Sequence, residues 1–409
     1  MRRDGGQVLQ RLDGLLAPLG VARAQRRGED LLQQRGLAVG RGAERAQVAP
    51  ADAVARKLGD RADDLALGLV VVARAGAQLA LDDAVVLQLG DQARVGARVV
   101  NRLLRLAGGY GGDFASVFAT LRVANRADVV FATTDTVGIP LILLKRAGLL
   151  RPRLVYAAIG LPERLEDLRN RWVERLYANA FRRADTIFTY AASEAAWLRA
   201  WLGPASLPVL FLPFGVDVKA FSPDANRPEK VDVISVGADP RRDFELLVAV
   251  AARHPDLRFQ IVATKDRARS LGALPPNVAV QTDLSLEQVR ENLACARVVA
   301  LPVLGNTYTG ATTVLLQAMA MAKPVVVSRT DAIAEGYGLE DGVNCRLVEP
   351  GDADALDRAL VETLHDAAAA ASLGARARQK VETAFSWERY TQAVWEIISA
   401  AAHRGTRPE

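Results

Sequence analysis

The stretch GNTYTGATTVLLQAMAMAKPVVVSRT, Gly305 to Thr330, opens on small and hydroxyl residues and then turns apolar with helical spacing. Asn306, Thr307, Thr309, Gly310, Thr312 and Thr313 stand at that opening. A helix N-terminus carries free backbone N–H groups and the positive end of the helix dipole, so an entry of small residues lets a phosphate come close. Gly310 removes a side chain, and Thr312 and Thr313 add hydroxyl donors beside the amides. The same residues fit a plainer role, with Thr309 capping a buried helix that carries Leu315, Leu316, Met319 and Met321. A second group is the run DPRRD behind the strand-like VISVG. There Arg241 and Arg242 could fork onto a diphosphate or could form only a charged turn between Asp239 and Asp243. Asp135 and Glu163, in turns after strands, are further candidates for contact with a polar substrate.

The elements that would hold these groups are legible from periodicity. ADVVFATTDTVGIPLILLKRAGLL, from Ala127, reads as a buried strand, a polar turn and a helical apolar segment. RLVYAAIG and DTIFTYAASEAAWLRAWLG repeat the theme, the second ending on a glycine stop. Pro/Gly punctuation and a polar run from Asp224 to Lys230 mark a new domain. Beyond it the expected order is strand 231–237, helix 243–253, strand 257–264, strand 277–281, helix 285–295, strand 297–303, the helix already described and strand 324–328. Such alternation predicts an α/β protein of two parallel-sheet domains, with ligands in a cleft at the carboxyl ends of the strands.

Between the first-domain strands lies RLEDLRNRWVERLYANAFRR. Leu165, Leu168, Trp172, Leu176 and Phe181 recur at helical spacing while Arg164, Arg169, Arg171 and Arg175 fill other positions. It reads as one basic amphipathic helix over 164–183, packed on the core with a solvated face or lying on an anionic membrane.

Composition bounds the rest. The 409 residues carry a formal charge of +5, 50% hydrophobic positions, and two cysteines, Cys295 and Cys345, with no pairing pattern or Cys/His cluster. No apolar run of bilayer length appears, and the charged start MRRDGG has no continuous apolar segment behind it. A cytoplasmic location is expected, at most at the inner face of the membrane. From Arg2 to Leu106 there is no Ser, Thr, Ile, Phe, Tyr, Trp, His or Cys. Apart from Met1, Lys57 and Asn101, every residue there belongs to a type with codons beginning in G or C. A GC-rich gene read in the wrong frame or from the opposite strand gives this composition. Residues 1–105 are therefore expected to be mistranslated or poorly packed, and their arginines give no reason to infer nucleic-acid binding.

From about Asp128 to Tyr390 the chain resembles the retaining family 4 glycosyltransferases of GT-B architecture, two Rossmann-like domains facing a cleft. FLPFGVDVKAFSP, with Gly215, Val216, Asp217, Phe221 and Pro223, is similar to the family's entry into its second domain. VISVGADPRRDFELL stands where the family has a strand, a glycine and basic residues for the donor diphosphate. VLLQAMAMAKPVVVS and AFSWERYTQAVWEII resemble its later blocks. The resemblance implies an anomalous segment 1–105, the remainder of an acceptor-side domain over 106–213, a donor domain over 214–384 and a returning helix over 385–409.

What it implies chemically is transfer of a sugar from a nucleotide-diphosphate sugar to an acceptor hydroxyl, by front-face attack with retention and without a metal or cofactor. Arg241, Arg242, Gly310, Thr312 and Thr313 would hold the diphosphate, Thr309 and Gln317 the sugar and ribose, and Asp135, Gly160 and Glu163 the acceptor side. The acceptor would be a sugar, a lipid-linked sugar or a polysaccharide. The chain departs from the family at four places. Thr309 and Gln317 replace two glutamates, Ala238 an arginine and Ile159 a histidine. Glutamine still offers an amide to a ribose, but Thr309 cannot supply a carboxylate's acceptors. An inactive GT-B-like binding protein, or a phosphorylase or epimerase of the same fold, are the alternatives these departures leave open.

Overall fold

The computed structural model describes residues 109–403 except Asp167, Arg169, Ala205, Ser206, Ala225 and Thr307, together with Val70–Ala73, Val85–Leu87 and the helical residues Arg102, Leu104 and Leu106. The remaining expectations for residues 1–105 lie outside the described residues. The chain forms two compact units. One takes the chain to Phe188, Trp197–Leu210 and the end from Val394, and the other takes Thr189–Ala196 and Phe211–Ala393.

In the first unit, strands β1 (Val70–Ala73), β2 (Val85–Leu87), β3 (Val129–Ala132), β4 (Arg153–Ala158), β5 (Thr186–Thr189) and β6 (Val209–Phe211) make one sheet in the order β2-β1-β3-β4-β5-β6. β3 and β4 pair in parallel, as the alternation predicts, whereas β1 runs antiparallel to both β2 and β3. Helices α1 (Phe114–Ala124), α2 (Asp135–Arg146), α3 (Leu161–Glu166), α4 (Arg171–Phe181) and α5 (Ala192–Leu202) connect the strands.

The segment read as one basic helix over 164–183 is two, α3 and α4. Asn170 accepts a hydrogen bond from the Trp172 amide and so starts a fresh helix. Of the expected stripe, Leu165 and Phe181 are buried, whereas Trp172 and Leu176 are exposed. Tyr177, Ala180 and Phe181 are buried, while Trp172 is 76% exposed. A helix turned by about 100° per residue buries one stripe only, and in α4 that stripe is Tyr177, Ala180 and Phe181.

The second unit holds β7 (Val231–Val236), α6 (Phe244–Ala251), β8 (Phe259–Ala263), α7 (Lys265–Ser270), β9 (Val278–Thr282), α8 (Leu286–Ala294), β10 (Ala296–Leu301), α9 (Thr312–Ala320), β11 (Val325–Ser328), α10 (Asp331–Ala334), β12 (Arg346–Val348), α11 (Ala353–His365) and α12 (Ala367–Ala384). α13 (Trp387–His403) follows. The expected elements are present, with ends moved by one or two residues. The strands are ordered β12-β11-β10-β7-β8-β9 and every pairing is parallel.

Neighbouring strand residues divide between the two faces, as a period of two requires. Ile234, Val299 and Val325 pack with Leu315, Leu316 and Met319 of α9. Val233, Val298 and Val326 pack with Phe244 and Leu247 of α6 and Leu356 and Leu360 of α11. Burial on both faces explains why these strands read as unbroken runs of Val and Ile rather than as alternating patterns.

Candidate functional site

The strand order of the second sheet fixes where a ligand can enter. From β7 the chain winds outward through β8 to β9, then returns to place β10 on the other side of β7 and winds outward again through β11 to β12. The loops leaving β7 and β10 therefore diverge from adjacent strands, which is a topological switch point. These two loops carry DPRRD and GNTYTGATT. They are laced together by an amide of Leu304 donating to the Arg241 carbonyl at 2.9 Å and an amide of Asp243 donating to the Pro302 carbonyl at 3.0 Å.

Arg242 lies at this junction. It is 1% exposed, and its Nε and Nη1 have no hydrogen-bond partner. Burial lowers its pKa to about 10, against the opposing pull of Asp239 and Tyr308, which leaves it a cation at neutral pH. Its place is cleared by Gly237, where a Cβ would come within 2.4 Å of the Arg242 Nε. The Arg242 carbonyl accepts from Nη2 of Arg267 at 2.8 Å, and that guanidinium also reaches Glu245 and lies 5.7 Å from the Phe244 ring. A buried guanidinium with unpaired N–H groups is costly unless an anion joins it. The charged-turn reading of this arginine fails because the side chain is in the core. Arg241 is only half-buried.

The helix α9 begins at Thr312, and its N-cap is Ala311 rather than Thr309. Ala311 has φ +75°, a left-handed conformation that an alanine adopts at a cost of about 1 kcal/mol or more, and it makes no side-chain cap. Elsewhere in this unit Asp243, Thr264, Ser285, Asp352 and Asp366 cap the helices that follow them with side-chain oxygens. α9, like α10 with Thr330, has no such cap, and it enters through a strained residue. The Thr312 amide reaches the Thr309 carbonyl at 3.4 Å, which leaves the amides of Thr313 and Val314 for an external acceptor. Thr312 and Gln317 are buried, Thr313 is exposed and Thr309 is half-buried.

Asp239 joins the two loops and had no assigned role in the sequence. Its Oδ1 accepts from the Tyr308 hydroxyl at 2.6 Å and the Arg241 amide at 2.7 Å. Its Oδ2 lies 3.2 Å from where a Cβ would stand on Gly310. Tyr308 was missed likewise. The one sequence signal for either is the Asp-Pro pair, which marks a turn.

The first unit gathers its own polar cluster at the ends of β3 and β4. Asp135, 2% exposed, accepts from the Tyr156 hydroxyl, from Arg164 and from the Ile159 amide at 3.3 Å. Burial raises its pKa, and Arg164, Tyr156 and Ile159 pull it back. Arg164 also stands over the Tyr110 ring at 5.1 Å. Gly138 makes room for Tyr156, since a Cβ there would meet the ring at 2.2 Å. Gly160 has φ +67°, and Glu163 is half-buried one residue before Arg164. Both Asp135 oxygens are thus engaged inside the protein, and Arg164 is the group they present outward.

Part of the chain resembles known proteins. Residues 232–366 match the family model described as glycosyl transferases group 1. The chain is 32% identical over 209 residues to an MMP alpha-(1->4)-mannosyltransferase of Mycolicibacterium hassiacum, covering 48% of this chain and 49% of that one. It is 28% identical over 214 residues to a GDP-mannose-dependent monoacylated alpha-(1-6)-phosphatidylinositol monomannoside mannosyltransferase of Corynebacterium glutamicum, covering 46% and 55%. The chain thus spans about half the length of the curated relatives it matches. Among solved structures it resembles a sucrose-phosphate synthase of Thermosynechococcus elongatus, with TM-score 0.59, 21% identity and 70% and 78% of the two chains covered. It also resembles Anabaena Alr3699/HepE bound to UDP and glucose, with TM-score 0.59, 19% identity and 70% and 81% covered. The fold is that of the GT-B glycosyltransferases.

Proposed function

We propose that the protein is a glycosyltransferase that moves a hexose from a nucleotide-diphosphate sugar to an acceptor hydroxyl with retention of configuration. The observation that carries this reading is Arg242, a core cation with Nε and Nη1 unpartnered beside a helix whose N-terminus has no side-chain cap. A diphosphate answers both defects at once, because its oxygens can accept from the guanidinium and from the α9 amides. The same groups would stabilise the charge that develops on the departing diphosphate, so no metal is required for that task. The Gln317 amide suits a ribose hydroxyl, and the nucleoside would run toward Ala263 and Arg267 at the end of β8. The mannosyl relatives, one named for GDP-mannose, favour mannose as the sugar, with attack from the face that the diphosphate leaves.

On the acceptor side, Arg164, held by Asp135, would orient the sugar or lipid-linked sugar that receives the hexose, with Gly160 and Glu163 shaping the same loop. The assay is product formation from GDP-mannose, UDP-glucose and related donors with mannosyl and lipid-linked acceptors, run with and without EDTA. Turnover that persists in EDTA is the expected result. Nucleotide binding with no turnover on any donor would instead favour the inactive homologue, a reading prompted by Thr309 and Gln317.

A lipid-linked acceptor would bring the protein to the inner face of a membrane. Among the described residues no helix is long and apolar enough to cross one. The exposed side of α4 and the turn after it, with Arg171, Trp172, Arg175, Leu176, Arg182 and Arg183, has the cationic and aromatic character of an interfacial contact. Sedimentation with phosphatidylglycerol vesicles but not with phosphatidylcholine vesicles is expected, and Trp172→Ser with Arg175→Glu should reduce it about tenfold. Equal sedimentation of that double variant would remove this face from consideration.

A further inference from the structure

Asp239 is an unexpected group to find at the proposed diphosphate site, because its charge would repel the ligand. One explanation is that it serves only as counter-ion to Arg242. The geometry argues against that. Arg242 keeps Nε and Nη1 without hydrogen bonds although Asp239 is close enough to influence its charge. The carboxylate is instead turned by other donors. The Tyr308 hydroxyl and the Arg241 amide both donate to Oδ1, and the Arg242 amide donates to the Asp239 backbone carbonyl at 3.1 Å.

With Oδ1 anchored, Oδ2 is directed to Gly310, where a Cβ would stand 3.2 Å from it, 3.4 Å from the Asn306 Nδ2 and 3.5 Å from the Tyr308 ring. The space over Gly310 lies two residues before the first turn of α9. A nucleotide sugar whose phosphates sit on the α9 amides and Arg242 would have its sugar in this neighbourhood. A sugar presents hydroxyl donors, and a carboxylate oxygen is the strongest neutral-pH acceptor available to them. Thr309, the neighbouring residue, has no carboxylate to offer.

We infer that Asp239 is the residue that reads the transferred sugar, accepting hydrogen bonds from its hydroxyls through Oδ2 while Tyr308 holds the carboxylate in place. This rests on the donor-site reading given above. It assigns selectivity for the sugar to the loop after β7, and it separates two parts of the donor. Arg242 and the helix amides hold the diphosphate, which every nucleotide sugar shares, whereas Asp239 contacts only the part that distinguishes one sugar from another.

The test is calorimetric titration of the full chain with GDP and GDP-mannose, and with UDP and UDP-glucose. Asp239→Asn keeps the shape and removes the charge. In that variant the affinity for the nucleotide sugar should fall about tenfold or more, the worth of one hydrogen bond to a charged group. Affinity for the bare nucleoside diphosphate should stay the same or rise, because a repelling charge is gone. Tyr308→Phe leaves the carboxylate and frees it to turn, so it should weaken the nucleotide sugar by a smaller factor and spare the diphosphate. It also keeps the question answerable should Asp239→Asn fold poorly. Equal losses for sugar and diphosphate in both variants would make Asp239 a structural counter-ion and overturn the inference, as would no change in either ligand. Wild-type protein that binds none of the four ligands would overturn the donor-site reading itself, and this inference with it.

Discussion

Replacing Arg242 with Met is expected to make the ligand-free protein more stable and the ligand-binding protein useless. The reason is the state of the guanidinium, 1% exposed with two nitrogens unpartnered. An ion taken from water without adequate partners weakens the fold, and substitution of such groups by apolar side chains of similar length often stabilises by about 1–4 kcal/mol. In a unit of this size each kcal/mol moves Tm by roughly 2–4 °C. A rise of several degrees by differential scanning calorimetry without ligand is therefore expected for Arg242→Met. Turnover should fall by about 100- to 1,000-fold, the usual effect of losing one preorganised donor to a developing negative charge. Arg242→Lys keeps the charge but loses the fork, so it should fall between wild type and Met in both measurements. Two results would reject this account. Unchanged nucleoside diphosphate affinity in the Met variant would mean the guanidinium is not the anion site. A lowered Tm without ligand would mean that its unpartnered nitrogens are satisfied by water.

Asp135→Ala should produce the largest loss of stability, for the opposite reason. Here the ion is well paired. The carboxylate accepts from Tyr156, Arg164 and the Ile159 amide, and Tyr156 is fully buried. Removing one partner from a buried pair leaves the others stranded and typically costs about 3–5 kcal/mol. The Arg164 side chain is 39% exposed and can turn to water, which places the expectation near the lower end of that range. Tyr156 has no such escape. Asp135→Asn retains an acceptor for its hydroxyl and should cost less, about 1–3 kcal/mol. The measurement is the urea midpoint followed by tryptophan fluorescence. A drop worth less than about 1 kcal/mol for the Ala variant would show that the three contacts are not maintained in solution. An Arg164 left without its anchor should also raise KM for the acceptor while leaving donor affinity alone.

Secondary structure and much of the site were determined by the sequence alone, because both are short-range. The Val and Ile runs of β7, β8, β10 and β11 and the helical apolar spacing of α9 are set within a few residues of each position. Arg242 and the small-residue entry to α9 were legible for the same reason, as residue types next to the end of a strand and the start of a helix. The basic segment over 164–183 shows where local pattern fails. Leu165, Leu168, Trp172, Leu176 and Phe181 share one spacing, yet the break at Asn170 and the neighbouring packing buried Leu165, Tyr177 and Phe181 and left Trp172 and Leu176 exposed. Ala311 as N-cap was equally hidden, since a left-handed alanine is imposed by the surrounding loop and not by its own preference. Asp239, Tyr308 and Gly310 are separated by up to 71 positions in the chain, so nothing local relates them. They meet because β10 returns to the side of β7, and strand order is decided by long-range pairing that no window of residues contains. Sequence supplied the residues, and the crossover of the sheet decided which of them meet.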